Sequence, residues 1–104
     1  MALAKTRMSS AQLERQADTL AAARDFAGAR ALLVQLTRQA PANFAAWMKL
    51  AAMANAMGDA TASLAAANGA LAVRPLDFTA LLMRATQLHN LSRVDEAGEA
   101  YARA

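Results

Sequence analysis

Several residue types are rare or missing in this sequence. Its 104 residues include no cysteine, one histidine, two prolines and four glycines, and aromatic residues make up only 5%. Without cysteine the chain can form no disulfide and offers no thiol for catalysis. It has no run approaching the roughly 18 consecutive apolar residues of a transmembrane helix, and its first residues lack the apolar stretch of a signal peptide. We therefore expect a cytoplasmic protein that binds no membrane, with residues 1–8 as a disordered leader.

Groups that could carry out chemistry are equally sparse. His89 has no candidate nucleophile beside it, and the four glycines are scattered rather than gathered in a phosphate-binding loop. Asp95, Glu96 and Glu99 are better explained as charges favoured by a helix dipole than as metal ligands. The net charge is +3, without a basic cluster that would follow a phosphate backbone. The sequence thus predicts no enzymatic activity, no metal or other cofactor, and no nucleic-acid partner.

What the chain does contain is alanine, the strongest helix former, within a 57% hydrophobic composition. Few segments alternate with the period of two that is typical of a strand, so an all-helical fold is predicted. The phrase Pro41-Ala-Asn-Phe44 returns 34 residues later as Pro75-Leu-Asp-Phe78. A period of this length indicates a repeated helix-turn-helix unit.

Candidate helix caps follow the same period. Ser9, Asn43 and Asp77 each have a side-chain oxygen that can accept a hydrogen bond from a free helical N–H, and Ser9 can form a capping box with Gln12. Gly58 is the expected left-handed residue after a helix. Six helices are predicted, over residues 9 to 23 or 24, 26–39, 44–56, 60–73, 78 to 88 or 90, and 92 onward, with Asp25, Asp59 and Ser92 as the caps of the second, fourth and sixth.

These residues resemble the tetratricopeptide repeat (TPR) family, whose units would be residues 10–43, 44–77 and 78–104. The apolar places of the family motif fall at Leu13, Trp47 and Leu81, at Ala17, Ala51 and Ala85, at Leu20, Ala54 and Leu88, at Ala29, Ser63 and Ala97, and at Leu33, Ala67 and Tyr101. Arg24 and Ser92 depart from the motif, because glycine is usual there, as at Gly58. The resemblance implies three antiparallel helix pairs stacked as a right-handed superhelical solenoid.

The resemblance also implies a concave groove, lined by the first helix of each unit, that binds a peptide or a helix. A non-catalytic protein–protein interaction or scaffold module is therefore the leading prediction. The alternative for the groove residues is that they complete the core or face solvent. The predicted groove residues are Glu14, Asp18, Met48, Lys49, Asn55, Thr79, Leu82, Met83, Thr86 and His89.

One branch of the TPR family clamps the C-terminal carboxylate of chaperones with basic and amide side chains on these helices. Of the clamp positions, only Lys49 carries a suitable group, since the others are Glu14, Asp18, Thr79 and Met83. We therefore expect no binding of such acidic tails.

Three further hypotheses remain open. The chain resembles TPR segments that precede catalytic domains in larger bacterial enzymes, such as aspartyl/asparaginyl hydroxylases or sulfotransferases. A helical-repeat RNA binder is a less favoured alternative. Finally, the sixth helix would present Val94, Ala97 and Tyr101 with no further helix to cover them, so we expect this edge to pair either with a second copy, as a homodimer, or with further repeats.

Overall fold

A computed structural model describes residues 8–103, with side chains as far as Arg93. Within this part of the chain there are five helices and no strand: α1 (Ser10–Ala22), α2 (Phe26–Gln39), α3 (Phe44–Ala56), α4 (Ala60–Val73) and α5 (Phe78–Arg103). The prediction of an all-helical fold is confirmed, and α2, α3 and α4 have the predicted bounds. None of the helices in the described residues combines the length and apolar character needed to cross a bilayer.

The helices begin where the sequence provides caps. Ser9 and Gln12 form the predicted capping box, with Ser9 Oγ accepting from Gln12 N at 3.1 Å and Gln12 Oε1 accepting from Ser9 N at 2.8 Å. The other four helices are each capped by an Asp or Asn side chain that accepts from the N–H three residues later. Such caps satisfy helical N–H groups that have no partner within the helix. The four cap residues are Asp25, Asn43, Asp59 and Asp77.

The turn residues explain where the helices of a pair separate. Gly58 ends α3 with φ 74°, and Arg24 takes a similar left-handed conformation after α1, with φ 63°.

The prediction of a sixth helix beginning at Ser92 is wrong, because α5 continues without a break to Arg103. Ser92 has no glycine-like preference for a left-handed conformation. Arg93 takes the register place of Asp25 and Asp59, and its guanidinium has no oxygen with which to cap a new helix. Two helix pairs are therefore followed by one long helix.

Each helix packs mainly on the helices before and after it in the chain. Leu13, Leu33 and Leu36 form the largest buried cluster, together with Ala17 and Ala46. The interior of the second pair is made almost entirely of small residues, which let two helices approach closely because they place little volume between the backbones. These buried residues are Ala51, Ala54, Ser63, Ala66, Ala67 and Ala70.

Trp47 packs at the edge of the second helix pair, α3 and α4. Its indole Nε1 donates to Pro41 O at 2.8 Å, and its ring lies directly on Gly69 of α4, where an added Cβ would stand 2.6 Å from Trp47 Cδ2. Trp47 is half-buried. The indole thus keeps its polar edge near solvent while its face packs against the helix.

The third unit does not bury the places predicted for it. Leu81 and Leu88 are 38% and 47% exposed, and Ala85 is exposed. The physical reason is that α5 continues outward, so no returning helix covers them. Ala97 and Tyr101, also predicted to pack, lie outside the described side chains.

At the other end, residues 1–7 of the predicted leader lie outside the described residues. Met8 lies within them and is half-buried against the Leu13 cluster. Its carbonyl oxygen accepts a hydrogen bond from Gln39 Nε2 at 3.0 Å. Met8 therefore ties the start of α1 to the end of α2.

Candidate functional site

An ion cluster joins α1 to α3. The Lys49 ammonium lies 2.9 Å from Glu14 Oε1 and 2.9 Å from Asp18 Oδ1. Glu14 and Asp18 are four residues apart, which places both carboxylates on one face of α1. Three of the predicted groove residues, from helices that begin one repeat period apart, are thus brought into a single cluster.

This cluster keeps an excess of negative charge. Partial burial opposes the charged form of Lys49, but hydrogen bonds and attraction from Glu14 and Asp18 outweigh it and raise the pKa of the ammonium above its usual value of 10.5. Lys49 is therefore charged at neutral pH. One ammonium against two carboxylates leaves the cluster with one net negative charge at the surface.

A second polar bridge joins α3 to α5. Gln87 is buried, and its Nε2 donates to Asn55 Oδ1 at 2.9 Å. Gln87 also lies 3.5 Å from Met83 Sδ, and Ser63 Oγ of α4 lies 3.7 Å from the same sulfur. Asn55 therefore takes part in the α3–α5 contact. Met83, predicted to line the groove, is half-buried between α4 and α5.

Gln87 was not among the predicted site residues. A sequence signal for it exists, since it lies seven residues after buried Ala80 and four after Met83, a helical spacing for one face. A glutamine on an apolar stripe needs a partner when buried. Asn55, 32 residues away on the neighbouring first helix, is the partner that the structure provides.

The remaining predicted residues divide between packing and solvent. Met48 is half-buried and packs against Ala70, Leu71 and Ala80. Leu82 is 54% exposed, and Thr86 bonds only to the Leu82 carbonyl of its own helix among the contacts that the structure describes. The exposed predicted residues of α5 are Thr79, Leu82, Thr86 and His89.

A shallow hollow of about 430 Å³ lies between α2 and the end of α3, lined by small and apolar side chains with Arg30 at its edge. Arg30 Nη1 lies 3.1 Å from Asp59 Oδ2, which links α2 to the start of α4. The backbone N–H of Ala62, aided by Arg30, lowers the pKa of Asp59 below its usual value of 3.8. The hollow is wide open, so we assign it no ligand. Its lining residues are Ala27, Arg30, Ala31, Val34 and Met57.

Among the described residues, no three His, Cys, Asp or Glu side chains are placed to hold a metal ion, and the side chains of Asp95, Glu96 and Glu99 lie outside that part.

Comparisons with protein-family models, with curated proteins and with solved structures find no match for this chain. What the chain does must therefore be inferred from its own residues.

Proposed function

We propose that this protein is a non-catalytic interaction module of the TPR type, which binds a peptide or a helix of a protein partner across α1, α3 and α5. One observation supports this proposal above the others. Side chains 31 to 35 residues apart, close to one repeat period, bridge these three helices, through Lys49 to Glu14 and Asp18 and through Gln87 to Asn55.

We take α1, α3 and α5 as one binding layer, because side-chain bridges reach from α1 to α3 and from α3 to α5, although α2 and α4 intervene in the chain. Stacked repeat units form extended binding surfaces in this way, because each unit adds one helix to the layer. The ten predicted residues all belong to these three helices.

The charge and exposure of this surface favour one class of ligand. The ion cluster offers two carboxylates and one ammonium, so it favours a cationic side chain of the ligand. Leu82, on α5, offers exposed apolar area, and burying such area contributes about 25 cal/mol per Å². We therefore propose a peptide segment that carries a Lys or Arg and, further along, a large apolar residue.

The same charges argue against nucleic acid on this surface. Affinity for a phosphate backbone comes from Lys and Arg that replace counterions. Here the one lysine of the ion cluster is already paired with Glu14 and Asp18. An RNA strand would face net negative charge at this place.

A peptide-display selection against the intact chain tests the proposal. Selected peptides should be enriched in Lys or Arg together with Leu, Ile or Phe. Leu82→Glu, and separately the pair Glu14→Gln with Asp18→Asn, should each weaken a selected synthetic peptide by about tenfold, the loss of about 1.4 kcal/mol. Leu82 is a sharper probe than Met48, because Met48 also packs on the core.

Ala65→Glu is the matched control, since Ala65 is exposed on α4 and lies outside the proposed surface. It should leave peptide affinity unchanged, and circular dichroism should show the same helix content in all variants. Selected peptides that bind equally well to the Leu82 and carboxylate variants would place the binding surface elsewhere. Failure to select any peptide would count against the module itself.

A further inference from the structure

The sequence contains a single Asn-Gly pair, Asn68-Gly69, in the second half of α4. Asparagine followed by glycine is the pair most prone to lose ammonia spontaneously, because the glycine nitrogen attacks the asparagine amide and no glycine side chain obstructs the approach. The asparagines at positions 43, 55 and 90 precede Phe44, Ala56 and Leu91, whose side chains hinder this attack. The sequence therefore singles out Asn68.

The surroundings of Asn68 leave its amide available. Asn68 is exposed on α4, so water and hydroxide reach it. In each of the other three asparagines, Asn43, Asn55 and Asn90, the side-chain amide is hydrogen-bonded to a described residue. For Asn68 the structure shows no such bond among the residues that it describes. Its amide carbonyl is thus free to be attacked.

The folded helix opposes the reaction. Gly69 lies inside α4, where its N–H bonds to the carbonyl four residues earlier and points along the helix axis. Ring closure requires the peptide between Asn68 and Gly69 to rotate out of this geometry. Glycine weakens the helix at this point, since it loses more conformational freedom on folding than any other residue. Deamidation therefore requires a local opening of α4 at Gly69.

Trp47 is the side chain that holds this point of α4 closed. Its indole lies directly on Gly69, and its Nε1 donates to Pro41 O. Any rotation that carries Gly69 out of the helix breaks the contact with the ring. The indole and Gly69 therefore separate whenever α4 opens here, and the strength of their contact limits how often it opens.

We propose that Asn68 is the deamidation site of this protein, and that the contact of Trp47 with Gly69 limits its rate. In the opened helix the Gly69 nitrogen loses its proton to a base in solution and bonds to Cγ of Asn68. The Cγ–Nδ2 bond breaks, and the leaving nitrogen takes a proton from water to depart as ammonia. Water then opens the cyclic succinimide at either carbonyl, giving aspartate or isoaspartate. No atom is oxidised or reduced.

Either product changes α4 irreversibly. Aspartate places a negative charge at position 68, and isoaspartate routes the backbone through Cγ, which inserts a methylene between residues 68 and 69. The hydrogen bonds of an α-helix depend on a constant rise per residue, so the inserted carbon breaks those that cross this point. Gly69 then no longer lies under the Trp47 indole, and the contact between α3 and α4 loosens at its edge.

Mass spectrometry of the full chain identifies the site. The native protein is kept in mildly alkaline buffer for several weeks, and peptides from successive samples are fragmented to locate each amide that has become an acid. Asn68 should react before any other asparagine, with isoaspartate among its products. In urea it should react at least about tenfold faster, because α4 is then open. Earlier loss at another asparagine, or equal rates in the folded and unfolded chain, would overturn the proposal.

Variants of Trp47 test its role in the same assay. Trp47→Leu should speed the loss at Asn68 by about tenfold or more, and Trp47→Phe, which keeps a smaller ring without the bond to Pro41, by less. Leu33→Val is the matched control, because it removes a buried methylene from the first helix pair and leaves Trp47 in place, so the rate should change little.

Circular dichroism shows which of these variants are folded. If Trp47→Leu is not, the comparison of Trp47→Phe with Leu33→Val decides. Equal acceleration by these two substitutions would overturn the role of Trp47, because opening would then follow the stability of the whole chain rather than its contact with Gly69.

Discussion

Leu13 and Leu81 occupy the same place in the repeat, two periods apart, yet Leu13 is completely buried and Leu81 is 38% exposed. The residues are identical, and each lies three residues after the start of its helix. What differs is the element that follows. After α1 the chain turns and α2 returns over Leu13, whereas α5 continues past the corresponding place. The comparison shows that burial in such a chain is decided at the turn, 11 residues beyond the leucine.

The turns differ in two adjacent residues. Arg24 and Gly58 take left-handed conformations, while Ser92, at the same register place, is helical. The next residue is Asp25 or Asp59 in the first two units, and each caps the returning helix. Arg93 stands in the third. A turn therefore forms where a cap can stabilise the new helix, even when the left-handed residue is an arginine.

The largest expected effect tests the comparison directly. Leu13→Ala should lower the free energy of unfolding by about 2–5 kcal/mol, the usual range for a buried leucine. Leu81→Ala should lower it by clearly less than Leu13→Ala does in dilute solution, because Leu81 is 38% exposed and its truncation removes less buried area and leaves a smaller cavity. Urea denaturation followed by circular dichroism at low protein concentration gives both values. Equal losses would show that Leu81 is covered as fully as Leu13 within a single chain.

The second prediction concerns glycine substitutions at two equivalent turn positions, Arg24 and Ser92, which should change stability in opposite directions. Arg24→Gly should stabilise the protein by about 1 kcal/mol, because a non-glycine residue at φ 63° carries a steric cost of that order. Ser92→Gly should destabilise it by about 1 kcal/mol, as glycine does within a helix. Thermal melts of the two variants beside the wild type provide the measurement. A stabilising Ser92→Gly would mean that the chain turns at this residue in solution.

The smallest expected effect concerns Asp59, the residue that caps α4, and its response to acid. The third unit has Arg93 at the equivalent place. Hydrogen bonding to Ala62 N and the Arg30 pair lower the pKa of Asp59, so its contribution to stability is complete above its unfolded pKa of 3.8 and is lost as the pH falls through the folded value. Asp59→Asn keeps an oxygen that caps α4 but cannot be protonated. Between about pH 5 and pH 2 its melting temperature should therefore fall less than that of the wild type. Parallel acid profiles would contradict this account of Asp59.

Local signals were enough to predict most of the helices. Caps and turn residues act within four residues, so Ser9, Asp25, Asn43 and Asp59 could be read directly from the sequence. The helix on which each of the ten candidate residues lies could also be predicted, because the repeat period and the caps together locate the helices. That Lys49 would be paired with Glu14 and Asp18 could not, since a side chain's partner depends on the spacing of helices in space.

The course of α5 beyond Asn90 depends on a competition that no local signal decides. Ser92 is an acceptable N-cap and is also tolerated within a helix, so the pattern alone allowed a turn. The outcome depends on whether a returning helix would gain more by packing than the continuous helix gains in backbone hydrogen bonds. Gln87 was not predicted either, because its burial depends on a partner, Asn55, that lies on another helix.

The contact between Trp47 and Gly69 has a consequence for how the sequence can change over time. Position 69 has no room for even one carbon beyond the backbone while the indole lies against it. A larger residue there becomes acceptable only if position 47 has already lost its large ring, and the small residue at 69 is favoured only while that ring remains. The two positions should therefore change together in descendants of this chain, with the volume gained at one matched by the volume lost at the other.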